Sequence, residues 1–94
     1  MLVPEIIKKI NSDKVVIKYG DDYVLLSHAP AREDGYPQWD ETLAFLCNED
    51  GEVKNWTEVA GGSYMEISDV ITEISRFGIT KRGVSQSRSS KDGI

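Results

Sequence analysis

Between Lys14 and His28 the chain reads KVVIKYGDDYVLLSH, and no other stretch restricts the fold as much. Lys14 to Gly20 is β-branched and alternating, with Val15, Ile17 and Tyr19 on one side. Tyr23 to His28 is apolar on both sides, the pattern of a strand interior to a sheet. Gly20-Asp21-Asp22 between them has turn chemistry. The two runs are therefore predicted to form a hairpin in an antiparallel sheet.

A second hairpin is predicted downstream. Thr42 to Cys47, TLAFLC, reads as a strand with Leu43, Phe45 and Cys47 toward the core. Asn48-Glu49-Asp50-Gly51-Glu52 suits a type I turn followed by a glycine bulge. That register sets Asn48 opposite Glu52, Cys47 opposite Val53 and Ala44 opposite Trp56. A two-residue turn at Asp50-Gly51 would instead oppose Glu49 and Glu52, a like-charge pair costing roughly a few tenths of a kcal/mol.

Helical signals flank this core. Ser63-x-x-Glu66 has the form of a capping box, and Gly61-Gly62 before it reads as a break. Ile67, Val70, Ile71, Ile74 and Phe77 follow at helical spacing, with Gly78 placed to end the helix and Ile79 to close against Ile74. At the other terminus Pro4 suits a first turn, Ile6, Ile7 and Ile10 share a helical face, and Asn11-Ser12-Asp13 supplies a stop. A short N-terminal helix is expected there. Pro30, Gly35 and Pro37 exclude regular structure from most of the stretch between Ala29 and Asp40. The expected fold is α+β: an antiparallel sheet of about four strands in two hairpins, covered by the C-terminal helix. Residues 1–79 form one domain, the size 94 residues allow. Residues 80–94, TKRGVSQSRSSKDGI, hold too few apolar side chains to offset ordering and are expected to be a disordered basic tail.

The net charge of −5 conceals a segregation. Residues 21–73 carry thirteen acids against Arg32 and Lys54, a balance of −11, while both ends are basic. An acidic block of this density either solubilises the surface or docks a basic partner. It repels duplex nucleic acid, although the basic tail has phosphate-seeking side chains. No apolar run approaches the ~20 residues of a membrane-spanning helix, and no signal peptide is evident. A lone Cys47 completes the expectation of a reducing, cytoplasmic location.

Enzymatic constellations are sparse. Aligning Gly51 or Gly35 with the glycine of an EF-hand loop puts Leu46 or Pro30 where the first calcium ligand belongs. A nucleophile and base would have to be Cys47 and His28, and a thiol on a core face is inert. Zinc requires several Cys or His ligands, and one of each is insufficient without carboxylates or a second chain. No cofactor, metal or catalytic residue is expected. The expected function is protein binding through an acidic surface, with Asp21, Asp22, Glu49 and Glu52 on the two turns and Asp34, Tyr36 and Trp39 on the long loop as contact residues. A small enzyme or ligand-binding module built on the 29–40 loop beside His28 stays open as an alternative, as does a purely structural role.

The run ETLAFLCNEDGEVKNWTEVAGG, residues 41–62, resembles small proteins encoded by bacteriophages and prophages. The shared pattern is a strand, an asparagine–acid–glycine turn, a tryptophan-bearing strand and a diglycine before a helix. The resemblance carries no catalytic motif. It implies a phage origin, a bacterial cytoplasm, and a role in binding and inhibiting a host nucleic-acid-handling or defence protein.

Overall fold

The computed structural model describes residues 2–35 and 38–79. The expected tail from residue 80 and the contact residue Tyr36 lie outside the described residues. Five strands precede one helix: β1 (Glu5–Asn11), β2 (Lys14–Tyr19), β3 (Asp22–Ala29), β4 (Glu41–Cys47), β5 (Val53–Ser63) and α1 (Ile67–Phe77). The strands lie in sequence order in a single antiparallel sheet, and α1 packs on one of its faces. The α+β class holds, but the sheet has one strand more than expected.

The extra strand is the segment expected to be the N-terminal helix. Ile6, Ile7 and Ile10 fit helical spacing, yet they are β-branched and favour a pleated surface. Asn11 decides between the two. Its side-chain oxygen accepts the N–H of Asp13 at 2.8 Å, and Asn11 pairs with Lys14. The supposed helix stop is thus a hairpin turn that folds β1 back along β2. Irregularities between Ile6 and Lys8, and between Lys9 and Asn11, interrupt the pairing. β1 is an edge strand, and Lys8 and Lys9 beside its exposed isoleucines disfavour pairing with another edge.

The two central hairpins follow the sequence closely. Tyr19 pairs with Asp22 around Gly20-Asp21, and Gly20 takes a φ of 63°. Asn48 organises the β4–β5 turn: its backbone N–H donates to the Glu52 carbonyl at 2.9 Å, and its side-chain oxygen accepts from Asp50 and Glu52 N–H. Gly51 adopts a φ of 93°, and Cys47 pairs with Val53, as the bulge register requires. Further along, that register fails. Cys47 pairs with Val53 but Phe45 pairs with Glu58, so β5 advances five residues while β4 advances two. Asn55 accepts the Thr57 N–H at 2.9 Å within the irregularity. A second irregularity between Phe45 and Ala44 adds one residue more, so Ala44 pairs with Ala60, and Trp56 instead meets Phe45 edge-on at 5.0 Å between ring centroids.

Both faces of the sheet bury apolar residues. On the helix side Val15, Ile17, Val24, Leu26, Ala44 and Ala60 meet Val70 and Ile74 of α1. On the other side Val16, Leu25 and Cys47 pack with Tyr23 and Val53. The β4–β5 tip closes over this second cluster: Gly51 lies against Ile10 and Val16, and Lys8 pairs with Asp50 at 4.0 Å. Ala44, not Leu43, Phe45 and Cys47, therefore faces the helix. Alternation alone could not assign the sides, because both are covered.

The diglycine does not break the chain either. β5 runs through Gly61 and Gly62 to Ser63. Glu66, not Ser63, caps α1, and its N–H donates to the Asp69 carboxylate at 2.9 Å. Val70 and Ile74 carry the buried stripe, Ile79 packs against the same cluster, and Gly78 ends the helix with its N–H on the Ile74 carbonyl. Phe77, expected on that stripe, is 72% exposed. Gly61 is required by contact: a Cβ there would stand 2.1 Å from the Thr42 carbonyl oxygen, and its φ is 101°. Its N–H also donates to Glu73 of α1 at 2.8 Å. Gly62 has only Met65 Sδ within reach, at 3.9 Å. Gly61→Ala is predicted to cost about 3 kcal/mol or more in urea unfolding, and Gly62→Ala about 0.5 kcal/mol or less. Equal losses would contradict this reading of the diglycine.

Candidate functional site

The antiparallel order brings the β2–β3 turn and the β4–β5 turn to the same end of the sheet, because Tyr23 near the start of β3 pairs with Cys47 at the end of β4. Asp21 from one turn and Asn48, Glu49 and Asp50 from the other line a shallow depression of about 340 Å³, with Tyr23 and Lys54. Two acidic segments 27 residues apart in sequence, counted from Asp21 to Asn48, thus form a single concave surface.

The local reason is the turn geometry. Gly20 turns the chain tightly enough to leave Asp21 exposed at the tip. Asn48 keeps the neighbouring turn rigid by accepting two backbone N–H groups, and its amide donates to the Glu52 carboxylate at 2.8 Å. Glu49 and Asp50 are exposed as a result. Asp50 shares its charge with Lys8, and Lys54 contributes a cation to the lining, so Asp21 and Glu49 carry the carboxylate surplus. Tyr23 adds a half-buried aromatic surface. Carboxylates beside an aromatic ring suit a lysine or arginine side chain, which gains ion pairing and a cation–π contact together.

The expected contact residues divide between two places. Asp21 and Glu49 line the depression; Asp22 begins β3 at the same end, and Glu52 is engaged by Asn48. Asp34 and Trp39 belong to the 30–40 connection, beyond the far end of β3. With eight residues, β3 separates the two ends by roughly 24 Å. Asp34 pairs with Arg32 at 3.7 Å and is strongly exposed. Trp39 is half-buried and leans on Tyr64 at 6.2 Å between ring centroids. One continuous docking face through all these residues is therefore not formed. Tyr23 and Asn48 were missed; their signal was the hairpin register, which places both beside Asp21.

The nucleophile–base pairing that the sequence analysis set aside is also excluded by distance. Cys47 pairs with Tyr23 and His28 with Thr42, five residue steps or roughly 17 Å apart along the strands. His28 and Asp40 do approach each other at the far end, with Glu66 as the third member and Asp34 elsewhere. Among the described residues no helix is long and apolar enough to cross a membrane. No family model, curated protein or solved structure matches the chain, so function is argued from the geometry.

Burial pushes the Cys47 thiol up from its ordinary value, and the Lys54 ammonium draws it part of the way back. A raised folded pKa means the unfolded chain loses its proton first, so this contribution is constant at neutral pH and falls above about pH 8.5. The parent is predicted to lose stability relative to Cys47→Ala between about pH 8 and pH 10 in urea titrations. Ellman's reagent at pH 8 should react only as fast as the protein opens. Rapid stoichiometric labelling of the folded protein would contradict the burial.

Proposed function

We propose that the protein is a small acidic binding module that presents the depression between its two turns to a basic surface on a protein partner. The observation that carries this reading is the convergence of Asp21 with Glu49 and Asp50 around Tyr23. Electrostatic attraction of this kind acts mainly on the rate of encounter and weakens with salt. The partner's anchoring group is a lysine or arginine that enters beside Tyr23. A surface rich in such side chains is typical of proteins that handle nucleic acids. With the resemblance of residues 41–62 to phage-encoded proteins, the reading extends to occupation of a host protein's phosphate-binding groove by carboxylates in a bacterial cytoplasm.

The test uses an arginine-rich peptide as the basic probe. The double variant Asp21→Asn with Glu49→Gln should bind it at least about tenfold more weakly than the parent at low salt. A charge-matched control, Glu33→Gln with Asp34→Asn at the other end, should bind like the parent. The first variant should melt within a few degrees of the parent, since exposed carboxylates contribute about 0.5 kcal/mol or less each to stability. Equal weakening in both double variants would show attraction by overall charge and would overturn the depression as the binding site. Recovery of a lysate protein that survives high salt and both substitutions would overturn it as well.

A further inference from the structure

The strongest unassigned chemistry lies at the end of the sheet opposite the acidic turns. His28 stands near the end of β3, Asp40 immediately before β4, and Glu66 at the N-cap of α1. One ligand atom from each lies within 4.8 Å of the other two. Three separately positioned elements thus deliver one imidazole and two carboxylates to one point.

The proton count around Thr42 decides which histidine nitrogen is available. The Thr42 side chain is wholly buried. Its Oγ1 lies 2.7 Å from the Met65 carbonyl oxygen and 2.6 Å from His28 Nδ1. A carbonyl only accepts, so the single hydroxyl proton goes to Met65. Thr42 Oγ1 must then accept at its other contact, and His28 Nδ1 must donate. A neutral imidazole carries one proton, so the lone pair is on Nε2. Fixing one ring nitrogen by donation to a buried oxygen while the other keeps its lone pair is the arrangement that orients metal-binding histidines.

Both carboxylates are held by their backbones and retain an oxygen. Asp40 Oδ1 accepts the Ala31 N–H at 2.8 Å, and the Asp40 carbonyl accepts the Tyr64 N–H, leaving Oδ2. Glu66 is fixed by the reciprocal capping box with Asp69, which occupies one side-chain oxygen at most. Neither carboxylate enters a salt bridge among the described residues. Two carboxylates and a neutral imidazole sum to a charge of −2, matching a divalent cation. Metal–donor bonds of about 2.0–2.2 Å set tetrahedral donors roughly 3.3–3.6 Å apart. Occupation therefore draws the donor atoms together by at most about 1.5 Å.

We propose that His28 Nε2, Asp40 and Glu66 bind a divalent first-row transition ion of the zinc class. One nitrogen and two oxygens suit that class, whereas calcium takes six to eight oxygens and magnesium retains most of its water. Three protein ligands leave a tetrahedral ion one further position, open to water or to a ligand from a partner. The ion ties the 30–40 connection and the start of α1 to the end of β3. The sequence set zinc aside for want of ligands; the fold supplies two carboxylates to the single histidine.

The test is zinc titration of the untagged full chain by calorimetry, with melting followed in parallel. The parent should bind one ion per chain and melt higher as the site fills. Asp40→Asn and Glu66→Gln should each weaken binding at least tenfold while folding like the parent without metal. His28→Gln should weaken it further, and because it also removes the bond to Thr42, the two carboxylate variants carry the decision if it unfolds. Asp21→Asn with Glu49→Gln should bind zinc like the parent, which separates this site from the acidic depression. In nitrogen-15 spectra zinc should shift His28 Nε2 while Nδ1 keeps its proton. No saturable binding, parent-like binding by both carboxylate variants, or loss of binding in the acidic-turn variant would each overturn the proposal.

Discussion

The hydroxyl of Thr42 is the point on which one end of the molecule depends. It is fully buried, and its two contacts join β3 to the segment leading into α1. Removing it would leave the Met65 carbonyl and the His28 N–H without this partner, at a cost of order 1–3 kcal/mol for each buried group left unsatisfied. The same residue's carbonyl lies so close to Gly61 that only glycine fits at that position. Side chain and backbone of Thr42 therefore fix the spacing of three consecutive strands and the entry to the helix. The orientation of His28 follows from that spacing.

The sheet's two ends have different chemistry for a topological reason. A meander of antiparallel strands alternates its turns, so every second connection returns to the same end. The β2–β3 and β4–β5 turns share one end and collect Asp21, Glu49 and Asp50. The β1–β2 turn, the 30–40 connection and the lead into α1 share the other. The Asp13 carbonyl there accepts the His28 N–H at 2.8 Å, and His28, Asp40 and Glu66 gather nearby. The acidic block of the sequence is thereby divided between the two ends, with Asp21, Glu49 and Asp50 at one and Asp40 and Glu66 at the other.

How much of this was legible follows from how local each signal was. The turn at Asn48 to Glu52 was legible because its chemistry is contained in five residues. So was the helix, whose Val70 and Ile74 recur at the helical period and whose end is marked by Gly78. Ile6, Ile7 and Ile10 misled because two apolar neighbours and a third three residues on satisfy a helix as well as an irregular strand. Only Asn11, read as one half of a hairpin turn, separates the two. The three-residue surplus in β5 near Trp56 depends on packing against Phe45, and no local pattern announces it. Hairpin order alone brings the two acidic turns to one end once both hairpins lie in one sheet. Glu66 was read as part of a capping box, and its approach to His28 needs three long-range placements at once. Long-range convergence of this sort has no signature in a single sequence.

The proton arrangement around Thr42 is the claim on which the account of that end turns, and it can be read directly. Nitrogen-15 spectroscopy of the labelled, metal-free protein with its imidazole neutral reports which ring nitrogen of His28 carries the proton. The account predicts Nδ1 protonated, with Nε2 showing the shift of a free lone pair. A proton on Nε2 would mean that His28 accepts from Thr42, leave the Met65 contact without a donor, and contradict the account.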